Sequence, residues 1–360
     1  MIRFKDSVSY ADPNIYMDFK INEFWNILNP RIKNGQLGAY SLCRKVDSLL
    51  NECRGNQYLS RVANNDNNKQ DRHVNYLEYL KDDNYYNLKG IVQSSPENLP
   101  HYIAEAFDIL HSTDLTIRSK GVLKSHDFGK LLLDRVFNYK AFRSSQSCVN
   151  FYKRLGLERK HCFYCGSSEI TVISKTAPTS SNYRDEHNRM LFDLDHFYLK
   201  SRYPFLSLSF YNLIPCCGIC NSTYRGTKDF NIKTHINPFL DSFDENYYFS
   251  FDSAEIAKSL QEYIPQMQTL TLKRKTNAPK RKDYTNVDLE LEHRCRANIA
   301  NINNMLGEIM DYSHEGWERV AGIIHGYNDA KVPRSRAKIL ECSNAKMHMD
   351  FIDRIKVIFK

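Results

Sequence analysis

No run of 18 apolar residues occurs anywhere in the 360-residue chain, which excludes a helix spanning the hydrocarbon core of a bilayer. The first residues, MIRFKDSVSY, lack the basic-then-apolar pattern of a secretory signal, so a cytoplasmic protein with no membrane partner is expected. A reducing compartment in turn argues against disulfides as the use of the ten cysteines. Internal repeats and long low-complexity tracts are absent too, and with 42% apolar residues wholesale disorder is excluded. Acidic residues are fewer than basic ones, 42 against 50, and the resulting net charge of +8 permits a polyanionic partner without requiring one.

What is present divides the chain by texture. Its length suits two or three lobes. Residues 1–160 read as a helical N-terminal lobe. In 37–53, LGAYSLCRKVDSLLNEC, apolar groups recur at the three-and-four spacing of one buried helix face. Residues 98–111 begin with Asn98 as a cap and Pro100 in the first turn, and 126–142 form a further helix. The polar tract 64–72, NNDNNKQDR, reads as a loop. From 161 to 252 cysteine pairs, glycines and short aromatic segments replace the periodic runs, and the later half of 237–253 looks strand-like. Residues 253–284 read as a basic linker and 285–360 as a helical C-terminal lobe, with Ile299, Ile302, Leu306, Ile309 and Met310 on one face, Met349, Ile352, Ile355 and Phe359 on another, and a helix start at Pro333. The fold class is therefore α+β and mainly α, with a small irregular centre between two helical lobes. Within the linker, six of the fourteen residues of TLKRKTNAPKRKDY (271–284) are Lys or Arg. Either this is a solvated connection around Pro279, or Lys280, Arg281 and Lys282 contact phosphates, which would make binding salt-sensitive.

Five of the ten cysteines (Cys43, Cys53, Cys148, Cys295 and Cys342) stand singly among apolar residues and read as small core groups. The others cluster. Cys162-Phe-Tyr-Cys165 and Cys217-Gly-Ile-Cys220 are both C-x₂-C knuckles, a spacing that turns two sulfurs toward one ion, with Gly166 and Gly218 easing the turns. Together they would close a four-thiolate structural zinc site. Cys216 competes with Cys217 for that role, and the spacing favours Cys217. A thiol–disulfide redox pair is the rival use, but its usual βαβ surroundings are not evident.

Such a staple would fix the loop between the knuckles, which carries FDLDHFYLKSRYP (192–204). A strand ending near Asp195-His196, a return strand through Asn212–Ile214 and a helix from about Asn221 would make a ββα unit. There Asp195 and Asn221 offer hard oxygen ligands suited to Mg²⁺, with His196 facing the same phosphate. Asp193 is either support for that site or a solvated acid.

The order of these parts, a zinc knuckle, DH, a middle Asn, then NLIPCCGICN and a following basic residue, resembles the HNH endonuclease family with its ββα-metal fold. The cysteine-bearing pattern is similar to the subgroup often encoded beside bacterial anti-phage or retron-type defence genes. It covers about 161–240, and it departs from the usual motif in having Asn rather than His at position 221. The resemblance implies a DNA endonuclease, a defence effector with a regulatory or ATPase partner encoded nearby. It implies His196 as general base, Asn212 as the residue that fixes the loop, and Mg²⁺ or Mn²⁺ on Asp195 and Asn221. Arg225 and Lys228 would hold the phosphate backbone. Two alternatives stand beside it: a catalytically silent zinc module that binds nucleic acid or protein, and an RNase using the same site.

Overall fold

The computed structural model describes residues 3–8, 10–157, 159–173, 188–312, 333 and 335–358. The N-terminal lobe is helical because its ends are capped and its faces are sided. The helix Pro13–Leu28 starts on Asp12, whose carboxylate accepts from the N–H groups of Asn14 and Ile15, with Pro13 in the first turn. The helix Leu42–Cys53 starts on Ser41, and of the face read from the sequence Leu42, Cys43, Val46, Leu49, Leu50 and Cys53 are buried, while Ala39 precedes the helix and is exposed. The tract expected to be a loop is different. Asp66 caps a helix by accepting from Lys69 N at 3.2 Å, and most of the polar run becomes the opening turns of Asn67–Gln93. That segment is two helices across a kink at Asp82–Tyr85, where Asp83, Asn84 and Tyr85 have positive φ. Leu99–Ile109 forms as expected, though Asn98 makes no side-chain cap bond. The helix expected over 126–142 is broken into Asp127–Leu131, a π-helical turn Leu132–Val136 and a short helix Tyr139–Ser144. The break puts Tyr139 over the centre of the molecule.

Among the described residues, five two-stranded antiparallel sheets punctuate the helices: β1–β2 (Thr116–Ser119, Val122–Ser125), β3–β4 (Lys160–His161, Glu169–Ile170), β5–β6 (Val172–Ile173, Arg189–Met190), β7–β8 (Asp193–His196, Leu213–Cys216) and β9–β10 (Tyr247–Phe251, Leu270–Arg274). In β7–β8, Asp193 pairs with Cys216, Leu194 with Pro215, Asp195 with Ile214 and His196 with Leu213. A π-helical segment, Ile219–Arg225, follows at once. The chain thus has the outline of the expected hairpin-then-helix unit.

The centre does not rely on a metal alone for its apolar contacts. Phe205 and Phe210 are fully buried and meet the N-terminal lobe: Phe24 lies 5.5 Å from Phe210, and Tyr76 5.9 Å from Phe205, ring centre to ring centre. One continuous core therefore runs through the first 160 residues and the cysteine-bearing region. A second core lies in the C-terminal lobe, where Phe249, Phe251, Ile256, Leu270, Ile302, Leu306, Phe351 and Ile355 pack together. This corrects the linker reading of 253–284. The segment carries the helix Ser253–Glu262, capped by Asp252, and strand β10, whose Leu270 is buried opposite Phe251.

Of the faces expected on Ile299–Tyr312 and Ala345–Ile358, Ile302, Leu306, Ile309, Met310, Ile352 and Ile355 are buried and Ile299 and Met349 half-buried, with Phe359 outside the described residues. Beyond Pro333 the described chain makes a 3₁₀ turn, Arg336–Glu341, and the last helix begins only at Ala345. Asn344 and its neighbours tie that lobe to the first knuckle: Asn344 N donates to Gly166 O at 2.9 Å, Ser167 Oγ to Asn344 Oδ1 at 2.5 Å, and Ser343 Oγ to Ser167 O at 2.7 Å.

Candidate functional site

The sulfur atoms of Cys162, Cys165, Cys217 and Cys220 lie within 4.8 Å of one another and are buried. Tetrahedral bonds of 2.3 Å require sulfur–sulfur edges of about 3.8 Å, so the cluster can hold a metal ion such as zinc. Cys216 lies outside it, as the knuckle spacing indicates. The backbone is already arranged for thiolates. Cys217 N donates to Cys162 Sγ at 3.3 Å, Cys220 N to Cys217 Sγ at 3.4 Å, and Ser167 N to Cys165 Sγ at 3.4 Å. Arg294 adds a cation, donating to Cys220 Sγ at 3.2 Å while its guanidinium covers Tyr224. The thiols share protons: neighbouring S–H groups, that of Cys162 foremost, lower Cys165 and Cys217, while burial raises Cys162. Four thiolates at this spacing need a cation to coexist.

His196 closes β7 and is 6% exposed. Its Nε2 donates to Ser207 O at 3.1 Å, which leaves the lone pair on Nδ1. Burial pushes its pKa down to about 3, with Lys200 and Arg225 acting the same way, so the imidazole is neutral at neutral pH. Tyr139 meets the ring edge-on at 4.5 Å and donates its hydroxyl to Leu194 O at 3.1 Å. The loop after His196 is clamped by Asn212, which is fully buried. Its Oδ1 accepts from Tyr198 N at 2.6 Å, and its Nδ2 donates to Tyr198 O at 3.1 Å and to Leu206 O at 3.0 Å.

The acids lie elsewhere. Side chains alternate along a strand, so Asp193 and Asp195 share one face of β7 and His196 takes the other. Asp195 is buried, accepting from Tyr164 Oη at 2.7 Å and sitting 3.4 Å from Arg225 Nε. Burial raises its pKa, with Arg225 opposing. Asn221 donates not to Asp195 but to Asp193 Oδ2, at 3.0 Å. The expected cation site on Asp195 and Asn221 is thus not assembled. Asp195 is already neutralised by a buried guanidinium, and a dication there would face that charge. Mg²⁺ or Mn²⁺ on this pair does not fit the arrangement.

Arg225 is a correction as well. It is fully buried, donates to His196 O at 2.9 Å, to Phe197 O at 3.0 Å, to Gly226 O at 3.3 Å and to Lys228 O, and covers Phe230. A side chain so enclosed ties the hairpin to the helix and cannot reach a phosphate. Lys228 is exposed but turned to Asp288, 3.5 Å away. Arg281 is held by Asp241 at 2.6 Å and by Ile232 O at 3.1 Å, whereas Lys280 and Lys282 are exposed with no ion pair among the described residues. His235, which fits no role in the motif, stacks on Phe230 and bonds Asp288 at 2.9 Å.

Beside Arg225, a second cation that acts on His196 is one the motif did not single out. Lys200 Nζ lies 4.7 Å from the centre of the Tyr139 ring and makes no ion pair among the described residues. Burial and the neighbouring charge of Lys140 lower its pKa, with Asp195 opposing. Its position four residues after His196, inside DHFYLKSRYP, was the available signal; Lys140 and Tyr139, brought in from the N-terminal lobe, gave none. Comparisons of the chain with protein-family models, with curated proteins and with solved structures return no match.

Proposed function

We propose that the chain is an HNH-type endonuclease that hydrolyses phosphodiester bonds of DNA, with zinc as the structural ion of the four-cysteine cluster and His196 as general base. The observation that carries this is the geometry of His196: fixed through Nε2 on Ser207 O, with its lone pair on Nδ1 and the following loop clamped by Asn212. A neutral imidazole with one nitrogen anchored is what proton abstraction from water requires. Nδ1 takes the proton as the water oxygen bonds to phosphorus, and the 3′ oxygen departs with the electron pair of its broken bond. Lys200, a cation that acts on the imidazole and makes no ion pair among the described residues, supplies positive charge to the phosphoryl oxygens.

Supercoiled plasmid incubated with the protein, with and without added divalent metal, should be nicked or cut by the wild type and left intact by His196→Ala. A second reading has its own observation: Asp195, the acid of the motif, is tied to Arg225 and Tyr164, as suits a silent zinc module that only binds nucleic acid. Plasmid left intact by both proteins, yet retarded by both in a gel, would favour that module. A labelled RNA in parallel separates DNase from RNase.

A further inference from the structure

A cleft of about 500 Å³ opens in the C-terminal lobe between the β9–β10 hairpin, the turn Arg336–Glu341 and the last helix, Ala345–Ile358. One wall is the outward face of the hairpin. Tyr248 and Lys273 are cross-strand partners, as are Ser250 and Thr271, and Lys275 lies one residue past the end of β10. Tyr248, Ser250, Lys273 and Lys275 line the cleft together with Arg336 and Arg354.

The floor is electrically settled. Lys346 is 4% exposed and bonds Asp244 at 2.7 Å and Asp350 at 2.9 Å, while Arg336 bonds Asp244, Asp350 and Asp353. Those two cations face three carboxylates. The rim is not settled. Lys273 and Lys275 make no side-chain hydrogen bond or ion pair among the described residues, and Arg354 bonds only the hydroxyl of Ser253. Lys275 lies near enough to Asp244 to help hold its carboxyl below the usual range, yet five cations against three carboxylates leave the assembly a net charge of two positive units. Lys273 on β10 and Lys275 just past its end both line the cleft and repel one another, and an anion between them relieves that repulsion. The aromatic ring beside them is 37% exposed, in a position where hydrophobic burial does not explain it.

We infer that this cleft binds a single nucleotide unit, its phosphate between Lys273, Lys275 and Arg354 and its base on the Tyr248 ring. The volume lies within the range of small-ligand sites, roughly 300–1,000 Å³, and does not admit a duplex. The same chemistry has two sources, a free nucleotide or one nucleotide of a single strand. The site lies in the lobe built on the second core, apart from β7, and its occupancy does not depend on His196 being catalytic.

The test is titration of the full chain with ATP, with a twelve-residue oligothymidylate and with inorganic phosphate. Parallel titrations use Lys273→Ala/Lys275→Ala, Tyr248→Ala and His196→Ala. The wild type and His196→Ala should bind a nucleotide probe equally. The double lysine variant should lose at least tenfold in affinity with a steeper loss at low salt, and Tyr248→Ala about ten- to hundredfold, the range of a base–aromatic stack. Binding of ATP without the oligonucleotide identifies a free nucleotide; binding of both identifies a strand. The inference is overturned if neither nucleotide probe binds, if the lysine variant binds as well as the wild type, or if inorganic phosphate binds as tightly as ATP. Thermal melts of the variants check that folding is intact, and the lysines' lack of partners predicts that it is.

Discussion

Replacing Arg225 by Met should unfold the molecule more readily rather than weaken its grip on a phosphate. The guanidinium donates to four backbone carbonyls, those of His196, Phe197, Gly226 and Lys228, and lies 3.4 Å from Asp195. Methionine fills most of the space but leaves Asp195 buried with no cation, only Tyr164 and the His196 backbone N–H, and the carbonyls without the guanidinium's donors. Breaking a buried ion pair from one side costs about 3–5 kcal/mol, a large share of the roughly 5–15 kcal/mol that holds a domain together. Asp195 also gives the loss a pH signature. Burial already holds its carboxyl above the ordinary range, and without Arg225 it rises further. A carboxyl raised in the folded state contributes stability below its unfolded pKa, about 3.9, and loses that contribution as pH rises. The deficit of Arg225→Met should therefore be smallest near pH 4 and grow toward neutrality, and Asp195→Asn in the same chain should recover at least about 1 kcal/mol at pH 7. Urea unfolding followed by far-ultraviolet circular dichroism at the two pH values measures both. A loss below about 1 kcal/mol, with weakened DNA binding and a flatter salt dependence, would refute the reasoning and return Arg225 to the phosphate.

Four further outcomes follow from the same geometry. Cys165→Ser or Cys220→Ser should abolish stoichiometric zinc, measured by elemental analysis, and lower the melting temperature, while His196→Ala retains the metal. Because the folded-state pKa of His196 is depressed to about 3, its contribution is present above the unfolded value and is lost as pH falls through that window. His196→Gln should flatten the fall in stability below pH 6.5 by up to about 1.4 kcal/mol per pH unit, and cleavage by the wild type should show no histidine limb near neutrality. Asn212→Ala removes three buried hydrogen bonds and should cost about 3 kcal/mol in urea unfolding, at roughly 1 kcal/mol each. Lys200→Ala, whose side chain makes no ion pair among the described residues, should lower the cleavage rate at least tenfold with an unchanged melting temperature.

The parts legible in the sequence were those fixed by spacing or by one short segment. The knuckles at Cys162/Cys165 and Cys217/Cys220, the hairpin that ends in His196, and the helix face of Leu42–Cys53 all follow from local pattern, and the structure has them. What pattern could not give was the third dimension around the motif. Nothing local tells that Asn221 turns to Asp193 or that Arg225 is swallowed by the backbone it was expected to flank. Nor does it tell that Tyr139, from a helix broken by a π turn, covers the imidazole. The basic stretch misled for a related reason. Its composition resembles a linker, yet Leu270 alternates with polar neighbours as an edge strand does, and that period of two places it against Phe251.

The arrangement on β7 carries one more consequence. A metal-assisted hydrolase needs its acid and its base on the same side of the reacting phosphate, and a regular strand puts Asp195 and His196 on opposite sides. Both cannot serve one phosphate while all four residues from Asp193 to His196 stay paired with β8. The pairing runs from Asp193 opposite Cys216 and ends at His196 opposite Leu213, where the loop held by Asn212 begins. On the proposed reading the phosphate therefore lies on the His196 face, where Nε2 stays bonded to Ser207 O, and Asn212→Ala, which frees the loop after His196, should lower cleavage as well as stability.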